Sequence, residues 1–302
     1  MKKLPDWPYR TYNRGRWAND LGTLNLLGPK VVERAVRSIK SYENFSIGSD
    51  LVREGLAPGS VAYKHEMTSV GAYSFSAAEE QLQNASDRIT VEVHGMVNTH
   101  IDAFSHVGHK GVSFNDVPFA EVANKDGAVR FTVMDMASIV TRAWFVDVPR
   151  QRGLKALVPG TPVLKADLAH LDGKVEPGDA LIIRTGRHAV AEVSPDDPAA
   201  KDNHGNWSGL HVDCLEFVSK WDVVLVGTDG PGDNFPSTIK ECSVPIHVIS
   251  EGYLGMPLVH TLNLEKLGEA MAKRADKSFM LNIAPLRIGG GTGSPVNPTA
   301  II

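Results

Sequence analysis

The stretch TVEVHGMVNTHIDAFSH, residues 90–106, carries three histidines and one aspartate among regularly spaced apolar residues. From Thr90 to Asp102 most odd positions are apolar, while His94, His100 and Asp102 fall on even positions. Alternation with a period of two predicts one β-strand, with His100 and Asp102 on the same face. A straight strand would put His94 about 20 Å from His100, so His94 is only a minor ligand candidate.

Histidine nitrogens and carboxylate oxygens are the ligands that zinc, manganese and iron take in proteins. His100 and Asp102 are two residues apart on the predicted strand, so their side chains could converge on one ion. For an isolated His-x-Asp pair, a solvent-facing polar strand is the more common explanation. His106, four residues further on, favours a metal site over that explanation.

The composition is that of an ordinary globular protein. The chain has 302 residues, 42% hydrophobic and 22% charged, with a net charge of -4, and can bury a substantial core. It has no basic run for nucleic acid, no membrane-spanning apolar stretch and no secretory signal. Cys214 and Cys242 form neither a metal-binding pair nor a disulfide framework. These features predict a cytoplasmic protein that binds neither nucleic acid nor membrane.

The rest of the chain alternates between short apolar runs and amphipathic segments, which indicates an α/β or mixed α+β domain. The predicted strands are 180–186, 223–229, 256–262 and 278–288, and the predicted helices are 27–39, 212–221, 244–255 and 263–275. Residues 69–88 lack a clear period and predict a long loop. No linker marks a second domain, so we expect one domain over 1–302, with residues 1–60 as an N-terminal arm.

The motif THIDAFSH, residues 99–106, resembles the core of the cyclase family, which includes bacterial kynurenine formamidase and isatin hydrolase. That family's motif reads His-x-Gly-Thr-His-x-Asp-x-Pro-x-His, and Thr99, His100, Asp102 and His106 match it in register. The resemblance continues, in order, over 16–32, 223–233, 244–267 and 284–301. It implies a swivelling β/β/α fold: a barrel-like β core with flanking helices.

The resemblance also implies a divalent metal site and roles for particular residues. By residue matching, His100, Asp102 and His247 are metal ligands, and His106 is the general acid/base. Relatives of this type are dimers or tetramers, so the resemblance implies a homodimer or homotetramer with the N-terminal arm in the contact.

The chain departs from the family motif at several positions. Met96 replaces the first motif histidine, Asn98 the glycine and Phe104 the proline, while His260 stands in place of a downstream glutamate. A thioether is a poor ligand for zinc or manganese. We therefore expect one ion, zinc or manganese, at a site of three histidines and one carboxylate. The expected ligands are His100, Asp102, His247 and His260.

Three further carboxylates allow more than one interpretation. Glu251 lies one helical turn after His247 and could be a ligand, a group that orients His247, or a surface charge, the interpretation we favour. Asp233 is interpreted as turn chemistry. Asp229 stays open between a turn and a functional residue.

Together these residues predict a metal-dependent hydrolase that opens an amide or ester bond in a small cyclic or aryl substrate, such as a lactam, imide, lactone or formamide. Aromatic and sulfur side chains would wall the substrate pocket; the candidates are Trp17, Tyr63, Phe75, Met96 and Phe104. A cyclase, dehydratase or lyase on the same scaffold is one alternative. A metal-free binding protein that has lost the site is another.

Overall fold

The computed structural model describes residues 13–51, 63–73, 82–95, 97–190 and 206–302. The strands are β1 (Asn44–Ser46), β2 (Tyr63–Tyr73), β3 (Leu82–Val91), β4 (His100–Asp102), β5 (Ala123–Asn124), β6 (Gly127–Ala128), β7 (Ile139–Asp147), β8 (Ala180–Arg184), β9 (Leu225–Thr228), β10 (Leu258–His260), β11 (Ser278–Ile283), β12 (Gly293–Pro295) and β13 (Thr299–Ile301).

The α-helices are α1 (Pro29–Arg37), α2 (Val148–Gln151), α3 (Lys165–Leu168), α4 (Cys214–Lys220), α5 (Pro245–Ile249) and α6 (Glu265–Ala272). Short 3-10 helices cover Gly22–Leu26, Phe114–Asp116, Phe119–Glu121, Val133–Asp135, Ala169–Leu171 and Arg187–Ala189. A π-helical turn, Ser250–Leu254, continues α5. No described helix is long and apolar enough to span a membrane.

Nine strands form one curled, half-barrel sheet in the order β1-β13-β11-β7-β8-β9-β10-β4-β12. Its centre, β7 to β10, is parallel, and the outer strands pair antiparallel. The barrel-like β core with flanking helices that the motif resemblance implies is confirmed. The strands predicted at 180–186, 223–229 and 278–288 correspond to β8, β9 and β11.

Both faces of the central strands are buried. On β7, Trp144 and Val146 point into one hydrophobic cluster, whereas Ala143 and Phe145 point into the other. Successive side chains on a strand face opposite ways, so a run of apolar residues fills both clusters at once. This is the pattern of a parallel sheet covered by helices on both sides.

The first described segment packs onto the sheet of its own chain. In α1, Val31 and Ala35 are buried, and Arg34 Nε donates to the buried Asp179 at 2.9 Å. Further upstream, Thr23 Oγ1 donates to Val224 O at 2.7 Å. These contacts dock the described part of the N-terminal arm on the body of the protein.

Two predictions about local structure are wrong. The segment from Thr90 to Asp102 is not one strand, because β3 ends at Val91 and the described part of 92–99 consists of turns and coil before β4. The described parts of the loop predicted at 69–88 are β-structure, since β2 and β3 pair antiparallel. Most described side chains of these two strands are exposed, so no buried face imposes a period-two pattern of apolar residues.

Candidate metal centre

The candidate site forms where β4 lies between β10 and β12. His100 is the register partner of both His260 in β10 and Pro295 in β12. Because side chains alternate along a β-strand, Asp102 lies on the same face of β4 as His100. All three residues of β4 are buried, so these polar side chains are held inside the protein rather than in solvent.

Asp102 is the centre of the cluster and is fully buried. Its Oδ2 lies 2.8 Å from Nε2 of His260 and 3.7 Å from Nε2 of His247. Its Oδ1 lies 2.9 Å from Nδ1 of His94 and 3.5 Å from Nε2 of His100. Four imidazoles therefore surround one carboxylate.

Hydrogen bonds on the far side of two rings fix which nitrogen faces Asp102. His100 Nδ1 donates to Asn98 O at 2.7 Å, which leaves Nε2 as the acceptor that faces the carboxylate. His247 Nδ1 lies 2.5 Å from Asp233 Oδ2, so its Nε2 also faces inward. A metal-binding histidine is commonly held by such a second hydrogen bond.

The pKa shifts leave Asp102 ionised and two of the imidazoles neutral, as metal ligands need. Burial opposes ionisation of Asp102, but the charges of His260 and His100 hold its pKa well below the usual value. Burial lowers the pKa of His100 to about 4 and also lowers that of His260. Burial disfavours the charged form of His247 as well, yet the Asp233 carboxylate raises its pKa. His100 and His260 are thus available as neutral donors, whereas His247 would release its proton on binding an ion.

Unsatisfied atoms show that the residues present fit a cation. Among the described residues, Asp102 Oδ1, His94 Nδ1 and His260 Nδ1 are buried without a hydrogen-bond partner. His94 Nδ1 and Asp102 Oδ1 are 2.9 Å apart and still form no hydrogen bond of good geometry. Two triads, His94 with His100 and Asp102, and Asp102 with His247 and His260, hold ligand atoms within 4.8 Å of one another. The cluster could bind a metal ion.

His106 lies beside the cluster. Its ring stacks on His94 with centroids 3.5 Å apart and planes 3° apart, and it lies 6.3 Å from the His247 ring. Burial lowers the pKa of His106 to about 3. A neutral imidazole next to a cation site can accept a proton there.

The structure therefore brings together the four ligand candidates of the sequence, His100, Asp102, His247 and His260. The ring of His94, the minor candidate, lies 5.4 Å from the His100 ring instead of about 20 Å away, and its Nδ1 lies 2.9 Å from Asp102 Oδ1. The estimate was wrong because turns interrupt the strand after Val91, where Gly95 N donates to Glu92 O at 3.4 Å, so the segment is not extended.

The pocket candidates have separate outcomes. Phe104 is 2% exposed, and its ring packs on Phe114 and Phe131 in a hydrophobic cluster, and its place in a pocket wall stays a prediction. Trp17 packs against the hydrophobic cluster that contains Phe104, and Tyr63 is the first residue of β2. Met96 and Phe75 lie outside the described residues.

Two carboxylates near the site differ from the interpretations that the sequence favours, which are turn chemistry for Asp233 and a surface charge for Glu251. Asp233 is buried and orients His247, which corrects its interpretation as turn chemistry. Glu251 is fully buried and accepts from Val107 N at 3.1 Å, which corrects its interpretation as a surface charge. The sequence offered one signal for Asp233, its place just after a strand among glycines. The partner that decides its role lies fourteen residues away.

Asp229 is a structural residue. Its buried carboxylate accepts from the backbone N–H groups of Thr185, Gly186 and Arg187, and from the Thr185 hydroxyl. It therefore ties the end of β8 to the end of β9.

Comparisons with known proteins agree with this fold. Residues 37–233 match the family model described as "Putative cyclase". The chain belongs to the cyclase family. The matched range of this cyclase-family protein includes His100, Asp102, His106 and Asp233.

Solved structures resemble the cyclase-family chain over most of its length. The crystal structure of a novel cyclase is 26% identical, covers 97% of this chain and 100% of its own, and has a TM-score of 0.84. Isatin hydrolase A from Labrenzia aggregata, bound to benzyl benzoate, is 16% identical over 93% of this chain and 99% of its own, with a TM-score of 0.58.

Isatin hydrolase A from Ralstonia solanacearum is 19% identical over 85% of this chain and 91% of its own, also with a TM-score of 0.58. The isatin hydrolases share the fold with this chain. No curated protein matches it.

Proposed function

We propose that this cyclase-family protein is a metal-dependent hydrolase that opens an amide or ester bond in a small cyclic or aryl substrate. The observation that carries the proposal is the buried carboxylate of Asp102 among four imidazoles, with a neutral His106 beside them. Lactams, imides, lactones and formamides are the substrates we would examine first.

One divalent ion, zinc or manganese, would be held by His100, Asp102, His247 and His260, with His94 as a further donor. Nitrogen-rich sites favour such ions over magnesium and calcium. When bound, the ion would polarise a substrate carbonyl and make a water acidic near neutral pH. Asp233 and the carbonyl of Asn98 hold two of the rings in place for this task.

His106 would move the proton. Its pKa is lowered to about 3, so its imidazole is neutral at physiological pH. A base this weak would accept the proton of the attacking water only where that water is made acidic, which is the chemistry a bound divalent ion would supply. His106 would then donate that proton to the leaving nitrogen or oxygen. Stacking on His94 restricts the ring to one orientation, which suits both transfers.

Metal analysis and a substrate panel test the proposal. Purified protein should contain about one zinc or manganese per chain, and pH-stat titration should detect acid release from at least one formamide, cyclic amide or lactone. The proposal fails if no metal is bound and added zinc or manganese neither binds nor activates.

A His106→Ala variant tests the proton step. It should lose about 10²–10⁴-fold in turnover, while its metal content stays that of the wild type. His170→Ala, a change at an exposed histidine, is the matched control. Unchanged turnover in His106→Ala would remove this residue from the mechanism.

A homodimer or homotetramer with a contact through residues 1–60 is part of the same proposal. Light scattering of the purified protein measures the mass directly. A monomer at micromolar concentration would refute the assembly without affecting the hydrolase.

A further inference from the structure

Arg187 is a half-buried arginine whose guanidinium donates no hydrogen bond to the described parts of the chain, although the Asp229 charge acts on it. Its Nη1 is buried and forms no hydrogen bond. Arg184, three residues earlier, pairs with Asp147 and Glu265. A buried donor without an acceptor costs free energy, so Nη1 calls for a hydrogen-bonding ligand.

Asp229 lies close to Arg187, and its carboxylate already accepts several hydrogen bonds. It accepts the backbone N–H groups of three successive residues and the Thr185 hydroxyl. Arg187 reaches it through the backbone N–H at 3.1 Å and not through the guanidinium. The carboxylate therefore uses its hydrogen bonds on the main chain and the Thr185 hydroxyl; its charge acts on the Arg187 guanidinium, but Nη1 is left without an acceptor.

Gly230 leaves space beside that guanidinium. A Cβ at this position would lie 3.7 Å from Arg187 Nη1 and 3.6 Å from Ser208 O. Gly230 is not among the glycines with a positive φ, so its backbone conformation does not itself require glycine. The missing side chain instead provides room next to the cation.

Arg187 opens onto the same edge of the sheet as the metal centre. It follows the end of β8, and His260 ends β10, two strands away across β9. Neighbouring strands are about 4.8 Å apart, so the ends of β8 and β10 are about 10 Å apart, and Arg187 lies three residues beyond the end of β8. The turn after β9 carries Gly232, whose Cβ position lies 3.0 Å from the His260 ring.

We propose that Arg187 binds an oxyanion group of the substrate, a carboxylate or a phosphate, while the bond to be cleaved lies at the histidine cluster. This inference rests on the proposed function, and it narrows the substrate class to small amides or esters that are also anions. A planar guanidinium matches the two oxygens of such a group.

Calorimetric titration of the metal-loaded protein with benzoate, phenyl phosphate and benzamide tests the proposal. We expect the wild type to bind benzoate or phenyl phosphate more tightly than the neutral benzamide. The anion that binds more tightly shows whether the oxyanion group of the substrate is a carboxylate or a phosphate. Arg187→Gln should weaken that anion at least about tenfold and leave benzamide unchanged. Arg187→Lys should bind the anion with an affinity between those of the wild type and Arg187→Gln, since lysine keeps the positive charge but lacks the paired N–H groups of the guanidinium.

Two further variants separate a binding role from a structural one. Gly230→Ala fills the space beside Nη1 at ordinary contact distance and should also weaken the anion, with Arg187 intact. Arg37→Gln changes an exposed arginine on α1 and should bind all three probes as the wild type does. An anion that binds Arg187→Gln as tightly as the wild type is held by the metal or elsewhere, and that overturns the proposal.

The hydrolase proposal and this one fail in different ways. Protein that binds no metal and hydrolyses nothing refutes the hydrolase, whereas anion binding that depends on Arg187 would survive. Protein that hydrolyses esters with the same KM for acidic substrates in the wild type and Arg187→Gln keeps the hydrolase and refutes the anion site.

Discussion

At the scale of single residues, the centre depends on which nitrogen of each imidazole faces Asp102. His100 and His247 each use Nδ1 for a hydrogen bond on the far side and turn Nε2 inward. One of these partners is a backbone carbonyl, and the other is the side chain of Asp233. Only the hydrogen bond to Asp233 can be altered by a side-chain substitution.

Asp233→Asn is expected to weaken zinc binding about 10–100-fold, because the amide no longer provides a charged acceptor for His247. Competition with a chromophoric chelator measures the affinity. Asp213→Asn, at a half-exposed aspartate beside His211, is the matched control. Equal zinc affinity in Asp233→Asn and the wild type would show that Asp233 does not support the site.

His106 should also affect stability in acid. Its pKa is about 3 in the folded protein and 6.5 when unfolded. Between these values the unfolded chain takes up a proton that the folded protein does not bind, so unfolding becomes more favourable as pH falls. The melting temperature of metal-free wild type should therefore fall more from pH 7 to pH 4.5 than that of His106→Asn. Parallel curves would mean that His106 titrates normally.

At the scale of elements, the short strand β4 and the turn after β9 place the candidate ligands. β4 has three residues and holds its position because both edges are paired, with β10 on one side and β12 on the other. The turn from Asp229 to Asp233 brings glycine against the His260 ring. Gly232 needs glycine for its φ of +85° as well as for this contact.

Gly232→Ala is expected to reduce both stability and metal affinity, because its Cβ would meet the His260 ring at 3.0 Å and its backbone is left-handed. Gly173→Ala isolates the second effect, since Gly173 has a φ of +77° and open space around it. That control should cost about 1–2 kcal/mol and leave zinc affinity intact. Equal losses in the two variants would show that contact with His260 is unimportant.

At the scale of the whole molecule, the centre joins segments far apart in the chain. Asp102 and His260 are separated by 158 residues and lie in hydrogen-bond contact. An ion bound to this folded arrangement and not to the unfolded chain would stabilise the protein by mass action.

Removal of the metal should therefore destabilise the protein. With free zinc at 100 times its Kd, the bound ion contributes about 2.7 kcal/mol to the free energy of unfolding. Denaturant titration before and after chelation measures this difference, and added zinc should restore it. Asp102→Asn should show little response to the chelator. A wild type equally indifferent to the chelator would contradict a metal in this cluster.

The sequence by itself determined the residues of the centre and the type of fold. The apolar runs of β8, β9 and β11 are buried on both faces, and such runs are visible in sequence. The motif at 99–106 identified His100, Asp102 and His106, and residue matching added His247 and His260. Hydrophobic pattern and motif chemistry are properties of the chain itself.

Only the tertiary structure decided where His94, Asp233 and Glu251 lie relative to the site. Periodicity placed His94 far from the site because it cannot detect the turns that interrupt the strand after β3. A hydrogen bond between residues fourteen apart depends on how separate strands meet at one edge of the sheet. No local pattern of residues shows which strands and turns lie next to one another there.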